Sequence, residues 1–139
     1  VFDYIQLNDS IYVTEYDKNK NIKNQSLFCL TNTQQITKII KLDANNNPIE
    51  RQEFEYDEMA SLRKKNIFEN DVKTGFKDFI YNEDGALIKS SFYTINSELI
   101  NSTSYEYDNY GNLVRIIERT ETDNTTKVFI INYLSKTSN

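Results

Sequence analysis

Segments carrying aromatic or aliphatic residues two positions apart recur along this chain, and small clusters of Asp, Asn, Gly and Ser separate them at regular distances. That pattern predicts half-buried β-strands joined by tight turns. The strings beginning at Tyr16, Tyr56, Tyr81 and Tyr107 share one form: an aromatic residue, Asp or Asn, four mostly polar residues, then an aliphatic. The string from Leu42 to Ile49 is the same with one extra residue. Counting on to Tyr133, the intervals between first positions are 26, 14, 25, 26 and 26 residues, so an internal repeat organises the chain. Further turn signals fall between the strings, at 31–34, 69–71, 95–97 and 122–124. Each repeat of about 26 residues is therefore one hairpin, and the short interval near Pro48 is read as a shortened repeat.

Strands are expected at 10–16, 22–30, 35–42, 49–56, 62–68, 74–81, 87–94, 98–107, 113–121 and 126–134, with 2–7 as a candidate extra edge. The best helical candidate, 57–66, is outweighed by its match to the repeat. The fold class expected is all-β: an antiparallel meander of about ten strands, as an open twisted sheet or a short β-solenoid.

The repeated residues have a mechanical reading. Asp17, Asp43, Asp57, Asn82 and Asp108 follow the last strand residue, where a side-chain oxygen can accept turn N–H groups. Gly85 and Gly111 supply a positive φ four residues after Tyr81 and Tyr107. Asn46 adopts that conformation too, Lys20 and Ala60 less readily, so the earlier turns are expected to be built differently. Two residues before each first position stand Thr14, Ile40, Phe54, Phe79, Tyr105 and Ile131. Residues two apart share a strand face, so these are expected to stack with Tyr16, Tyr56, Tyr81, Tyr107 and Tyr133 as a core ladder along one side.

Composition narrows the chemistry. A chain of 139 residues suits one domain, divided here into an edge segment at 1–9, hairpin repeats at 10–134 and a flexible tail at 135–139. With no His, imidazole catalysis and imidazole metal ligation are excluded, and with three Gly so are glycine-rich phosphate loops. A net charge of −5 disfavours nucleic acid and anionic lipid, and no apolar run approaches a membrane span. Cys29, within Leu27-Phe28-Cys29-Leu30, is expected to be a buried small hydrophobe. Residue 1 is Val, as in a chain processed or cut from something larger.

The strings YEYDNYGNLVRI at 105–116, FIYNEDGALIKS at 79–90 and FEYDEMASLRKK at 54–65 resemble the YD repeats of Rhs-type and teneurin-type surface and toxin-shell proteins. There, Y-x-Y-D-x-x-G-x-L marks successive hairpins of a spiralling sheet. The resemblance covers about residues 10–134 and implies a short stand-alone hairpin array used as a binding surface. MORN-type variant repeats, some of which accompany toxins as antitoxin-like partners, are more loosely similar.

Four groups of residues could carry chemistry. Glu53, Glu55, Asp57 and Glu58, and likewise Glu118, Glu121 and Asp123, cluster as acid–base pairs would, but alternate carboxylates on a strand are expected to form a solvated face. Asp17-x-Asn19-x-Asn21 and Asp43-x-Asn45-x-Asn47 have the oxygen spacing that opens a calcium loop, yet lack the later Gly and Glu, so turns are expected. Sequons at Asn8, Asn24, Asn101 and Asn124 match chance in a chain so rich in Asn. The interaction site is placed at Tyr110, Tyr93 and Phe92, on a sheet face and hairpin tips. The function expected is a non-enzymatic interaction or scaffold module, without cofactor, in a bacterial envelope or secreted complex. Its partner would be a protein, bound through a sheet face or edge strand; carbohydrate is a lesser option. The alternative is a cytoplasmic acidic immunity protein that covers a basic toxin.

Overall fold

A computed structural model describes residues 1–133. Among them there are no helices. Eleven strands follow one another: β1 (Phe2–Leu7), β2 (Ser10–Tyr16), β3 (Ile22–Leu30), β4 (Ile36–Leu42), β5 (Pro48–Tyr56), β6 (Leu62–Glu69), β7 (Val72–Tyr81), β8 (Leu87–Thr94), β9 (Leu99–Tyr107), β10 (Leu113–Thr120) and β11 (Thr125–Ile130). Their order in the sheet is their order in the chain, and the sheet is not closed, so β1 and β11 are edges. The all-β meander expected from the sequence is what is found, with the candidate strand at 2–7 present as β1. The last strand stops at Ile130 rather than 134, a residue that, like the tail expected at 135–139, lies outside the described ones. The chain groups into two compact units, Val1–Phe76 and Lys77–Asn139.

Seven of the connections are one and the same turn. Its first residue is Asp17, Thr31, Asp43, Asp57, Asn82, Thr94 or Asp108. In every case the first residue's N–H donates to the carbonyl of the fifth at 2.8–3.0 Å, and the fourth residue's N–H donates back to the carbonyl of the first at 3.0–3.1 Å. The fourth residue is left-handed throughout: Lys20, Gln34, Asn46, Ala60 and Ser97 have φ of 64–65°, and Gly85 and Gly111 about 80°. The expectation that the earlier turns differ is therefore corrected. The backbone hydrogen bonds and the side-chain acceptor hold Lys20 and Ala60 in a conformation that costs about 1–2 kcal/mol without Gly. At six of these turns the pairing slips by one residue just beyond the turn, leaving Lys23, Thr37, Ile49, Arg63, Ile100 or Val114 as a bulge.

This also explains the 14-residue interval. In the first unit the turns begin, by their aromatic or aliphatic residue, at 16, 30, 42 and 56, so each strand plus turn takes 14 or 12 residues. No hairpin is missing near Pro48. An interval of 26 spans two strands and returns to the same end of the sheet, whereas 14 spans one and arrives at the opposite end. Two-residue connections at Asn8-Asp9 and Asn70-Asp71 replace the five-residue turn elsewhere in this unit.

The ladder expected along one side is split between two faces. In the first unit, register places Tyr12, Leu27, Ile40, Arg51 and Phe68 in one row. The neighbouring row, Ile11, Phe28, Ile39, Gln52 and Ile67, lies on the other face. Phe54 pairs with Lys65 on this second face, while Ile40 belongs to the first. In the second unit Tyr105, Ile116 and Phe129 form a row on one face, and Ser104, Ile117 and Val128 on the other. With apolar side chains divided in this way, no hydrophobic residue among those described is buried. The buried side chains are small or polar and lie in mid-strand, such as Thr14 and its partner Gln25, or Ser91 and its partner Ser102. Tyr16, Tyr56, Tyr81 and Tyr107 are half-buried and Tyr133 is 62% exposed, so they are not core. Cys29, too, is half-buried rather than buried.

Gly111 has open space where a Cβ would stand, so Gly111→Ala tests the backbone alone. A loss of about 1–2 kcal/mol in urea denaturation is expected, with less for Gly111→Asn. Equal stability of all three chains would show that the left-handed position carries no strain.

Candidate partner-binding site

The repeated Asp residues are turn closers. Oδ1 of Asp17 accepts the N–H of Asn19 at 2.7 Å and of Asn21 at 2.9 Å, while Oδ2 takes the Asn21 amide at 3.2 Å. Asp43 and Asp108 repeat this with Asn45 and Asn47, and with Tyr110 and Asn112. Asp57 binds the N–H groups of Met59 and Ser61, and its second oxygen receives Arg63. Asn82 accepts the Ala86 N–H at 2.8 Å. Both oxygens of each calcium-like Asp thus point into their own turn, where N–H donors already fill the positions a cation would need.

These bonds favour the ionised carboxylate. The backbone N–H of Asn21 and of Ser61 is the main cause at Asp17 and Asp57; the side chains of Asn47 and Asn112 are the main cause at Asp43 and Asp108. All four pKa values fall below the ordinary 3.8 of an aspartate. Thr31 and Thr94 perform the same closure with a hydroxyl, which accepts the N–H of Gln35 at 3.1 Å and of Glu98 at 3.2 Å. A Thr at the first position resembles any polar turn residue; the alternation of 14- and 12-residue spacings is the signal in the sequence that marks these two turns.

Three tyrosine hydroxyls tie the end of one strand to the start of the strand before it. Tyr56 donates to the Ile36 carbonyl at 2.8 Å, Tyr107 to Leu87 at 2.9 Å and Tyr133 to Leu113 at 3.0 Å. Each donor ends or follows a strand, and each acceptor is the first residue of the neighbouring strand.

Several carboxylates of the two clusters are engaged. Glu53 pairs with Arg51 and with Lys38, and Glu55 accepts the Asn66 amide. Asp123 accepts the Thr125 hydroxyl at 2.7 Å, and Glu118 stands between Thr103 and Lys127 in register. Of the sequons, Asn24 donates to Glu15 at 2.6 Å and Asn101 is half-buried within β9.

Tyr110, Tyr93 and Phe92 are not brought together. Tyr110 is 90% exposed at the third position of the β9–β10 turn. Phe92 and Tyr93 are half-buried near the end of β8, beside the start of β9 and a strand length of roughly 25–30 Å away. Phe92 faces Asn101; Tyr93, the next residue, projects to the other face and begins the Thr94 turn. Tyr93 is thereby a counterpart of Tyr56 and Tyr107.

An unpartnered surface lies along the first edge strand, the 2–7 segment expected as an extra edge. Every residue of β1 is exposed, with Phe2 at 67%, Tyr4 at 76%, Ile5 at 58% and Leu7 at 61%. Val1 and Tyr16 exchange backbone hydrogen bonds, and the antiparallel alternation then turns Asp3, Ile5 and Leu7 toward β2. The N–H and C=O groups of Phe2, Tyr4 and Gln6 point away from the sheet. At the other edge the Ile131 N–H donates to the Val114 carbonyl, which leaves those of Thr126, Val128 and Ile130 outward.

A row of antiparallel hairpins closed by Asx-type turns is the class of fold that this geometry defines. No protein-family model and no curated protein matches the sequence. Among solved structures the chain is similar to part of the Photorhabdus luminescens Tc holotoxin pore and to part of a TcdB2-TccC3-Cdc42 crystal structure, each with a TM-score of 0.57 at 11% identity. A TcdB2-TccC3-TEV structure follows at 0.50 and 16%. The first two cover 86% of this chain, which spans only 8% of theirs. At these identities the likeness shows the fold.

Two outcomes follow. Because the turn carboxylates have lowered pKa values, their stabilisation is present above the free-aspartate value and is lost as pH falls through the folded one. Replacing Asp17, Asp43 and Asp108 together by Asn keeps an acceptor on each turn, as Asn82 does. This triple variant is expected to flatten the loss of stability as pH falls below about 4 in urea titrations; an unchanged slope would sink the assignment. Separately, Tyr107→Phe is expected to cost about 1 kcal/mol while leaving the circular dichroism spectrum unaltered.

Proposed function

We propose that this chain is a non-enzymatic protein-binding module, a short YD-type hairpin array, that works within a larger bacterial envelope or secreted assembly and engages its partner through an unpaired sheet edge. One observation carries this: a six-residue edge strand exposed along its whole length, with four large apolar side chains and three residues' worth of outward backbone groups. Monomeric proteins blunt such edges with charge, proline or bulges, and β1 has a single Asp and none of the other devices. An added strand would satisfy the backbone groups and cover the apolar ones together.

The fold likeness supports the reading. The similar segments belong to structures whose names describe multi-protein toxin complexes, within chains much longer than this one. The absence of imidazole and the engagement of Glu53 and Glu55 in ion pairs and hydrogen bonds favour a binding role over acid–base catalysis.

Native complexes captured from the source cells, followed by hydrogen exchange on the bound chain, test the proposal. The amides of Phe2, Tyr4 and Gln6 are expected to exchange at least about ten-fold more slowly in the complex than in the free chain. Recovery of free monomer alone at near-native concentration, or protection confined to the strand faces, would overturn it.

A further inference from the structure

The β1 edge on which the proposed function rests has a recognisable charge. Residues 1–16, which make up β1, its turn and β2, contain Asp3, Asp9 and Glu15 and no Lys or Arg. Glu15 is committed to Lys23 at 2.8 Å and to Asn24 at 2.6 Å. Asp3, the one charged residue of β1, makes no side-chain hydrogen bond or ion pair among the described residues. It stands opposite Thr14 in register, on the face that also carries Ile5, Tyr12 and Tyr16. These side chains line an open cleft of about 430 Å³ beside the edge, with Thr14, 7% exposed, beneath them. A second hollow of about 250 Å³ runs from Val1 and Asp3 past Tyr16 to Lys20.

Register fixes what an added strand would put there. An antiparallel strand bonded to Phe2, Tyr4 and Gln6 sets one of its residues opposite Asp3 in a non-hydrogen-bonded pair, where side chains approach most closely. We infer that the edge receives an extended segment of a partner protein carrying Arg or Lys at that position, its cation held by Asp3 and flanked by the rings of Tyr12 and Tyr16. An acidic hairpin with no Lys or Arg side chain attracts such a segment, and aromatic walls beside a carboxylate suit a guanidinium or ammonium group. Lys20, at the far end of the second hollow, repels a further cation there and so favours a single basic residue at the Asp3 position.

The probe is a cyclised hairpin peptide whose free strand reads Thr-Val-Arg-Val-Thr, with twins bearing Gln or Glu in place of Arg, titrated against the full chain by fluorescence anisotropy. The Arg peptide is expected to bind about two- to five-fold more tightly than the Gln twin, and the Glu twin more weakly still. Asp3→Asn removes the preference and Asp3→Lys reverses it. Tyr4→Pro deletes one outward N–H while leaving the bonds to β2 in place, and is expected to abolish binding of all three; Gln6→Pro serves if that variant loses its sheet by circular dichroism. Equal affinity for the Arg and Gln peptides, lost on Tyr4→Pro, would overturn the cation and leave edge pairing standing. Binding indifferent to both proline variants would remove edge pairing itself. Concentration-dependent dimerisation that Tyr4→Pro prevents, without any peptide preference, would replace the basic segment by a second copy of the chain.

Discussion

A side-chain oxygen placed at the first residue of a five-residue turn, accepting the N–H groups that the turn would otherwise leave unpaired, is the interaction on which the rest of this protein depends. With the two backbone bonds across the turn it fixes a left-handed fourth residue, and the bulge just beyond sets the register of the next strand. Because the device is local, it forms from contiguous residues and needs no core to hold it. That suits a chain with no buried hydrophobic residue among those described. Strand order follows chain order for the same reason: each turn sends the chain straight back beside itself.

The absence of a buried core is a consequence of parity. Strands of seven to ten residues with alternating side chains place apolar residues on both faces when neighbouring strands present rows of opposite parity, and here they do. Each face is then half apolar and half charged. Arg51 lies over the Phe68 ring at 3.8 Å and binds Glu53; Lys64 lies 4.3 Å from the centre of Phe76. Such contacts keep the faces wettable, since long cationic side chains cover aromatic carbon while holding their charge in water. Stability comes from ladders, turns and hydroxyl ties rather than from a central cluster. The Tyr107 and Tyr133 hydroxyls make this concrete: each joins the end of one hairpin to the first residue of the strand beside it, the kind of nearest-neighbour coupling by which linear repeats gain cooperativity.

Much of this was legible in the residues. The strand boundaries follow from the repeat and its turn signals to within one to three residues for most strands; Tyr-Asp spacing marks five of the seven turns, and polar clusters at 31–34 and 95–97 mark the places of the other two. The kinship of the Thr31 and Thr94 turns with the Asp turns is hidden because a hydroxyl can do the work of a carboxylate while resembling any polar turn residue. The left-handed conformations of Lys20, Gln34, Ala60 and Ser97 escaped because composition signals them only through Gly or Asn. The one-sided ladder failed for a different reason. A period of 26 preserves both end and face, so it looks continuous, but the 14-residue step between Leu42 and Tyr56 changes both, and only pairing register shows it. Of the residues assigned to binding, Tyr110 alone is fully presented to solvent; Tyr93 is occupied as a turn residue, and the β1 edge was recorded as a strand without its exposure.

That edge differs from the faces in how its apolar surface is arranged. On the faces, Leu27 and Ile40 share a row with Arg51, and Ile39 and Ile67 share one with Gln52, so a covering layer would have to desolvate polar groups for every pair of apolar ones it buried. Along β1, Phe2, Tyr4, Ile5 and Leu7 occur with a single charge, and the polar groups that remain are backbone donors and acceptors with fixed geometry. A strand meets those groups one for one; a helix or a second sheet cannot, because its own backbone bonds are already made. Shape therefore suits the β1 edge to an extended strand, with Asp3 the one charged residue that such a strand would face.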